Sequence, residues 1–469
     1  MAEASAVALV RRTWSDLGRD PSELDRLDPL PDAPLPARLD VSGLAVGAVA
    51  AASLAAVVAS DGDHAPRAIG AGGAGRAPSR VRLDGDRIAS AFTSERTVQV
   101  DGRAPDVWAP LSGFWRTADG WVRTHGNYPH HAAVLRDVLG LAADAGRDDV
   151  AAAVAATAAA GLAARVTRAG GLCVVVAPED PATDASLRAR PLVDLGTADG
   201  DPVPRSNRRR PEPGAPLAGL RVLDLTRVIA GPVATRTLAL LGADVLRLDP
   251  PALPEPEWQH LDTGAGKRSA LLDVASASGR RRFDELAAGA DVVVLGYRPS
   301  ALARLGLAPE ALTARHPHLV VAALAAWGFD GDAADRRGFD SLVQAASGIA
   351  VVEGTDGSPG ALPAQALDHA TGYLLAAAVT SMTTGGGAPG RIARVSLRRT
   401  AAELLGMPRT AEPTPGSALD DDARSAASRI LRTGGHEVRT PAPAIAFDAP
   451  LEWRAGPRPW GRDAAAWAD

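Results

Sequence analysis

Asp368 stands in the segment ALDHATGYLLAAAV, where a loop feeds a long apolar helix expected from His369 to about Met382. An aspartate in that place can be an N-cap, accepting the amides of the next turn. It can also be a carboxylate nucleophile whose anion is held by the helix amides and dipole. The two roles compete, because a capping oxygen is less free to attack, and the residues alone leave both open. His369 follows directly, but its backbone direction turns it elsewhere. The adjacent His130 and His131 point about 100° apart on a helix, which makes a poor two-ligand site and reads as a surface pair. No HExxH, paired cysteine, DxDxDG, GxSxG or Walker A pattern occurs. Of the 50 basic residues only Lys267 is a lysine, in GAGKRSALLDV. Composition assigns it no task.

The elements that must hold these residues fall into two blocks. In PLAGLRVLDLTRVIAGPVATRTLALLGADVLRLDPP, a strand (Arg221–Leu225), a loop, a helix (Pro232–Leu241) and a strand (Asp244–Leu248) form a βαβ unit. Its first loop, TRVIAGP, lacks the GxGxxG phosphate cradle. Strands at Ser269–Leu272, Asp291–Leu295 and Leu319–Ala325 alternate with helices at Ser278–Ala288 and Pro299–Leu305. Continuous Val/Leu runs joined by helices predict parallel strands covered on both faces. The expected fold is α/β, a Rossmann-like doubly wound parallel sheet with a smaller α+β domain.

In the first block Leu44–Val58 reads as a helix. Val81–Val100 reads as a β-hairpin turning at Asp84–Gly85. Trp108–Thr124 follows, then helices at His130–Leu139 and Asp149–Ala164. Residues 1–205 and 217–405 form the two blocks, with a polar linker at 206–216 inside the Pro/Arg-rich stretch from Asp199. Residues 406–469 read as an extended arm packing by Trp453, Trp460 and Trp467. The Gly-rich AGGAG (71–75) and TGGG (384–387) read as turns.

A net charge of −5 disfavours nucleic acid as a partner. One cysteine, Cys173, excludes an internal disulfide or a Cys-rich zinc site, and its apolar run GGLCVVVAP makes it a buried thiol. The N-terminus lacks the pattern of a signal peptide, and the apolar run Gly43–Ala59 is short of a spanning helix. A cytoplasmic protein without membrane contact is expected.

Residues 216–405 resemble the class III CoA-transferases, the family of formyl-CoA and carnitine-CoA transferases and α-methylacyl-CoA racemase. The matching segments keep the family's order: the opening βαβ, GKRSALLDV, ADVVVLGYRPSALARLGL, RRGFDSLVQAASGIA, ALDHATGYLLAAAV and GRIARVSL. The resemblance implies that Asp368 is the nucleophile, forming an aspartyl-acyl anhydride and then an aspartyl-CoA thioester. It further implies that Val228, Ile229, Lys267, Tyr297, Arg304 and Arg337 border the CoA site. Coenzyme A and acyl-CoA are then substrates rather than tightly bound cofactors. The partners are acyl-CoA and carboxylic acids, and the assembly is a homodimer.

Where the racemase branch has GHD, this chain has Gly338-Phe339-Asp340, and a phenylalanine moves no proton. That favours transfer over an acyl-CoA isomerase or racemase of the same fold, and a catalytically inactive CoA-binding relative stands as the other alternative. Segments 37–58 and 112–140 resemble the family's later half yet come first, which points to a permuted order. AGGAG (71–75) is a weak match to the Gly-rich loop of formyl-CoA transferase.

Overall fold

Unbroken runs of Val and Leu can be buried on both faces, and here they become the centre of a seven-stranded sheet. The computed structural model describes residues 2–61, 78–196, 214–384, 392–413, 418–447 and 451–468. In chain order the strands are β1 (Gln99–Val100), β2 (Gly113–Arg116), β3 (Trp121–Thr124), β4 (Cys173–Val175), β5 (Asp194–Gly196) and β6 (Arg221–Leu225). They continue as β7 (Asp244–Asp249), β8 (Lys267–Leu271), β9 (Val292–Leu295), β10 (Val320–Ala325), β11 (Ile392–Ser396), β12 (Ser428–Thr433) and β13 (His436–Pro441).

The large sheet has the order β5-β11-β10-β9-β6-β7-β8. From β6 to β11 every pairing is parallel, and only β5 joins antiparallel, on β11. Without β5 this is the doubly wound order 3-2-1-4-5-6, whose ligand crevice opens where the order reverses, at the carboxyl ends of β6 and β9. The free edge of β8 is covered by the tail. Ser269 donates its N–H to Asp463 Oδ2 at 2.9 Å, and Asp463 N–H returns to Ser269 O at 2.7 Å.

The crossover from β10 to β11 contains the helix Ala366–Thr383, packed between the helices Val41–Asp61 and Ala230–Leu240. Small residues allow that close approach: a Cβ on Gly372 would lie 2.5 Å from Ala230 O. Val41–Asp61 is 21 residues long and apolar enough to cross a membrane, longer than the sequence suggested. Instead it is buried against Ala2–Asp16 and Ala366–Thr383. Its apolar character is used up in the core.

Several first-block expectations are corrected. Residues 85–92 form a helix, Gly85–Phe92, not a hairpin arm. Asp84 caps it, accepting from Asp86 and Arg87 N–H at 2.9 and 3.2 Å. An Asp-Gly pair serves a cap as well as a turn, and Ile88 and Phe92 at i,i+4 spacing settle the choice. The helix expected over 149–164 is two helices, Arg147–Ala155 and Ala159–Arg168. Asp119 Oδ1 captures Ala159 N–H at 2.8 Å and starts the second one. β2, β3 and β4 form a small antiparallel sheet under these helices. Leu172 and Val174 attach that unit to Leu342 and Ala345 of the helix Asp340–Ser347.

The tail is more than an extended arm. β12 and β13 form a hairpin that β1 joins antiparallel, tying the first block to the tail. Trp467 Nε1 donates to Leu286 O at 3.0 Å and Trp453 Nε1 to Arg236 O at 3.4 Å. Residues 199–213 of the linker, AGGAG (71–75) and Gly385–Gly387 lie outside the described residues.

Candidate functional site

The loop Thr226–Ile229 leaves β6 at the reversal of strand order, and the loop Gly296–Arg298 leaves β9 beside it. Val228 is held at φ +72°, and its N–H donates to Glu255 Oε1 at 2.7 Å. A left-handed β-branched residue costs about 1–3 kcal/mol, so its surroundings must impose it. They do so through a buried chain of charge: Arg247 Nη2 donates to Glu255 Oε2 at 2.5 Å and to Asp249 Oδ1 at 3.0 Å.

Lys267, expected at the border of the CoA site, does not line the cavity that Val228 and Ile229 line. Its ammonium is buried and donates to Asp224 Oδ2 at 3.1 Å and to Pro232 O at 2.9 Å. Burial pushes its pKa down to about 8, against the pull of Asp224. It braces β6 and the helix Ala230–Leu240 from beneath.

Asp368 is the third residue of its helix, which starts at Ala366 after Gln365, so Asp368 is not the N-cap. Asp340 takes that part from another helix: its Oδ2 accepts Asp368 N–H at 2.9 Å. Its Oδ1 accepts from Gln344 Nε2 at 2.5 Å. Among the described residues no hydrogen bond reaches the Asp368 carboxylate, which therefore stays free of capping duty. It lines a cavity of about 40 Å³ together with Val228 and Ile229.

The same cavity is lined by Glu95, Asp340 and the aromatic rings of Trp108, His125, Tyr128 and Phe339. Burial, with Asp340 and Glu95 nearby, raises the Asp368 pKa well above the usual carboxylate range. Burial likewise raises Asp340, to about 7, although the N–H groups it accepts oppose this. Both carboxyls are therefore harder to ionise than free ones.

Phe339 lies flat on His125, ring centroids 3.9 Å apart and 5° from parallel. Burial, together with His131 and Arg123, pushes His125 down to about 3, so it is neutral. Its Nδ1 has no hydrogen-bond partner. His369, as its backbone direction foretold, turns inward: Nε2 lies 3.4 Å from Glu95 Oε2 and the ring packs on Phe92. The expected surface pair is half right. His130 is exposed, whereas His131 is buried, edge-on to Tyr128. No cluster of three metal-ligating side chains occurs among the described residues.

A second cavity, of about 260 Å³, opens on the other side of the segment 335–342. Arg337 lines it with Arg298 and Arg336, and donates to Gly170 O. Arg304 is exposed on the helix Pro299–Arg304, 3.4 Å from Ser300 Oγ. Tyr297 has a buried hydroxyl without a hydrogen-bond partner, and burial raises its pKa. The structure thus gathers Asp368, Val228 and Ile229 at one cavity and Arg337 at the next. It sets Tyr297 and Arg304 on the flank and Lys267 below.

Sequence reasoning missed Glu95, Trp108, His125 and Tyr128 as neighbours of Asp368. More than 230 residues separate them from it in the chain, and no spacing could signal them. Asp340 was within reach, since it closes the quoted segment RRGFD.

Residues 217–445 match the model of CoA-transferase family III. The probable fatty acyl-CoA transferase Rv3272 of Mycobacterium tuberculosis is 35% identical over 191 residues, 38% of this chain and 47% of that protein. The human succinyl-CoA:glutarate CoA-transferase is 30% identical over 190 residues, 37% of this chain and 43% of that protein. A crystal structure of Rv3272 superposes with a TM-score of 0.38 at 33% identity, covering 41% of this chain and 57% of that one. The chain spans about half the length, or less, of the curated relatives it matches. The match begins just before β6, carries Asp368 and ends beyond β13, so this stretch of the chain is similar to CoA-transferase family III.

Proposed function

We propose that this chain moves CoA between carboxylic acids, with Asp368 as the nucleophile. The observation that carries the reading is the division of labour at one helix start. Asp340 does the capping, and Asp368 presents an unengaged carboxylate to a cavity at the sheet's ligand crevice.

In the proposed sequence an Asp368 oxygen attacks the thioester carbonyl. The C–S bond breaks, CoA leaves as thiolate, and an aspartyl-acyl anhydride remains. The thiolate attacks the aspartyl carbonyl of that anhydride, expelling the first acid as its carboxylate and leaving an aspartyl-CoA thioester. The acceptor carboxylate then attacks that thioester and the thiolate takes the acceptor's carbonyl, which restores Asp368. One thioester and one carboxylate enter and one of each leaves, with an anhydride and the CoA thiolate between them, so the cycle balances without another reactant. The side-chain amides of Gln259 and Gln365, which line the cavity, are the proposed donors to each oxyanion. The helix amide of Asp368 is already engaged by Asp340.

In the same reading Val228 and Ile229 border the thioester end of CoA. Arg337, with Arg298 and Arg336, supplies charge for its phosphates, and Arg304 extends that face. The reaction is proposed to run in the cytoplasm, where the buried thiol of Cys173 stays reduced.

An isomerase reading would need a proton carrier beside Asp368. His125 lies there, but a pKa of about 3 makes it a weak base. Separation of acyl-CoA products by liquid chromatography tests the proposal. CoA should appear on the added acid with the native chain and not with Asp368→Ala. Transfer by that variant, or exchange of the α-proton with deuterated solvent and no transfer, would remove it.

A further inference from the structure

The lining of the Asp368 cavity narrows the acids it can take. Three carboxylates face it, Glu95, Asp340 and Asp368, and among the described residues no Arg or Lys does. The rest of the wall is largely aromatic: Trp108, Trp258, Tyr128 and the stacked pair His125 and Phe339. Two arginines stand behind it. Arg123 sits between the rings of Trp108 and Phe114, at 4.8 and 4.7 Å, and Arg227 lies over Tyr128 at 5.3 Å. Neither lines the cavity, although Arg123 is within electrostatic range of Asp340. The buried Nδ1 of His125 has no hydrogen-bond partner, and the ring carries no charge at neutral pH.

A dicarboxylic acid would bring a second carboxylate into this space once its first is joined to Asp368. It would be a third free acid beside Glu95 and Asp340 around about 40 Å³, without a counter-ion to replace its water. An uncharged tail meets the rings and the side chains of Val107, Val228 and Ile229, which reward its burial, while the neutral amides of Asn127, Gln259 and Gln365 supply no counter-charge to a second carboxylate. We propose that the acids exchanged at Asp368 are short monocarboxylic acids with uncharged tails, and that dicarboxylic acids are refused. This rests on the CoA-transfer reading and deepens it. It departs from the two dicarboxylic acids for which the human succinyl-CoA:glutarate CoA-transferase is named.

The test pairs acids of equal length on the full chain. Butanoyl-CoA is compared with succinyl-CoA as donor, and pentanoate with glutarate as acceptor, by kcat/KM. The monocarboxylic partner should lead by roughly a hundredfold or more, the scale of an unmatched buried charge. Equal or better use of the dicarboxylic partner overturns the proposal. Calorimetric titration of pentanoate and glutarate in the presence of CoA reads the same preference without turnover. If pentanoate binds and glutarate does not while no acid is transferred, the transfer reading fails and the pocket assignment stands. If glutarate binds as well as pentanoate, or neither binds, the assignment falls. Val107→Arg places a guanidinium at the half-exposed rim and should narrow the preference at least roughly tenfold. An unchanged ratio in that variant, with retained activity, also counts against it.

Discussion

The carboxylate of Asp340 accepts the backbone N–H of Asp368 at 2.9 Å, so one acid fixes the place of another that it also repels. The hydrogen bond locates the start of the helix Ala366–Thr383. The repulsion, added to burial, keeps the Asp368 carboxylate hard to ionise and reactive once ionised. Such a pair trades stability for chemistry.

That trade is measurable at Asp368 itself. Asp368→Asn keeps the shape, removes one of three crowded acids, and should stabilise the fold by about 1–2 kcal/mol. Transfer should disappear. Thermal unfolding at pH 7 and a transfer assay on the same sample read both effects.

Asp340 separates capping from charge. Asp340→Asn keeps an acceptor for Asp368 N–H and removes a negative neighbour, so the pKa of Asp368 falls. The acid limb of the pH–rate profile should move to lower pH. Asp340→Ala leaves first-turn N–H groups buried without an acceptor and should cost about 1–3 kcal/mol. Chemical denaturation of the two variants side by side gives the comparison.

The native pH profile follows from the same shifts. Transfer needs Asp368 as carboxylate, and its pKa is raised, so the rate should fall with falling pH from a higher pH than an ordinary carboxylate would set. Stability runs the other way. With Asp340 at about 7 in the fold against an ordinary 3.8, the folded chain holds a proton that the unfolded chain has lost. That contribution is full below about pH 4 and should decline as pH rises to about 7. Unfolding free energy measured from pH 4 to pH 8 checks the sign.

Lys267 and Arg337 should part company. Lys267→Ala leaves Asp224 buried without its ammonium and should cost about 3–5 kcal/mol of stability. Arg337→Ala, at an exposed residue, should cost little stability and weaken CoA binding about tenfold. Calorimetric CoA titrations beside melting curves distinguish the two. The reverse pattern would restore Lys267 to the CoA site.

The second block was legible because its strands are buried on both faces and read as unbroken Val/Leu runs. Val292–Leu295 is one such run, buried at every residue. The position of Asp368 at a helix start was legible too. Its freedom from capping was not, because the cap comes from Asp340, 28 residues away in the chain. Asp84–Gly85 misled because a turn and a helix cap draw on the same residue types. The ion pair of Lys267 with Asp224 had no local signature, because 43 residues separate the two in the chain. The aromatic wall from Trp108 to Tyr128 had no local signature. Only the packing of the first block on the helix Asp340–Ser347 brings it to the cavity.

The covalent role of Asp368 is tested most directly by trapping. The native chain is incubated with an acyl-CoA and then hydroxylamine, and its peptides are weighed by mass spectrometry. A hydroxamate on Asp368, dependent on the acyl-CoA, is the predicted result. Steady transfer of CoA with Asp368 unmodified throughout would contradict the account.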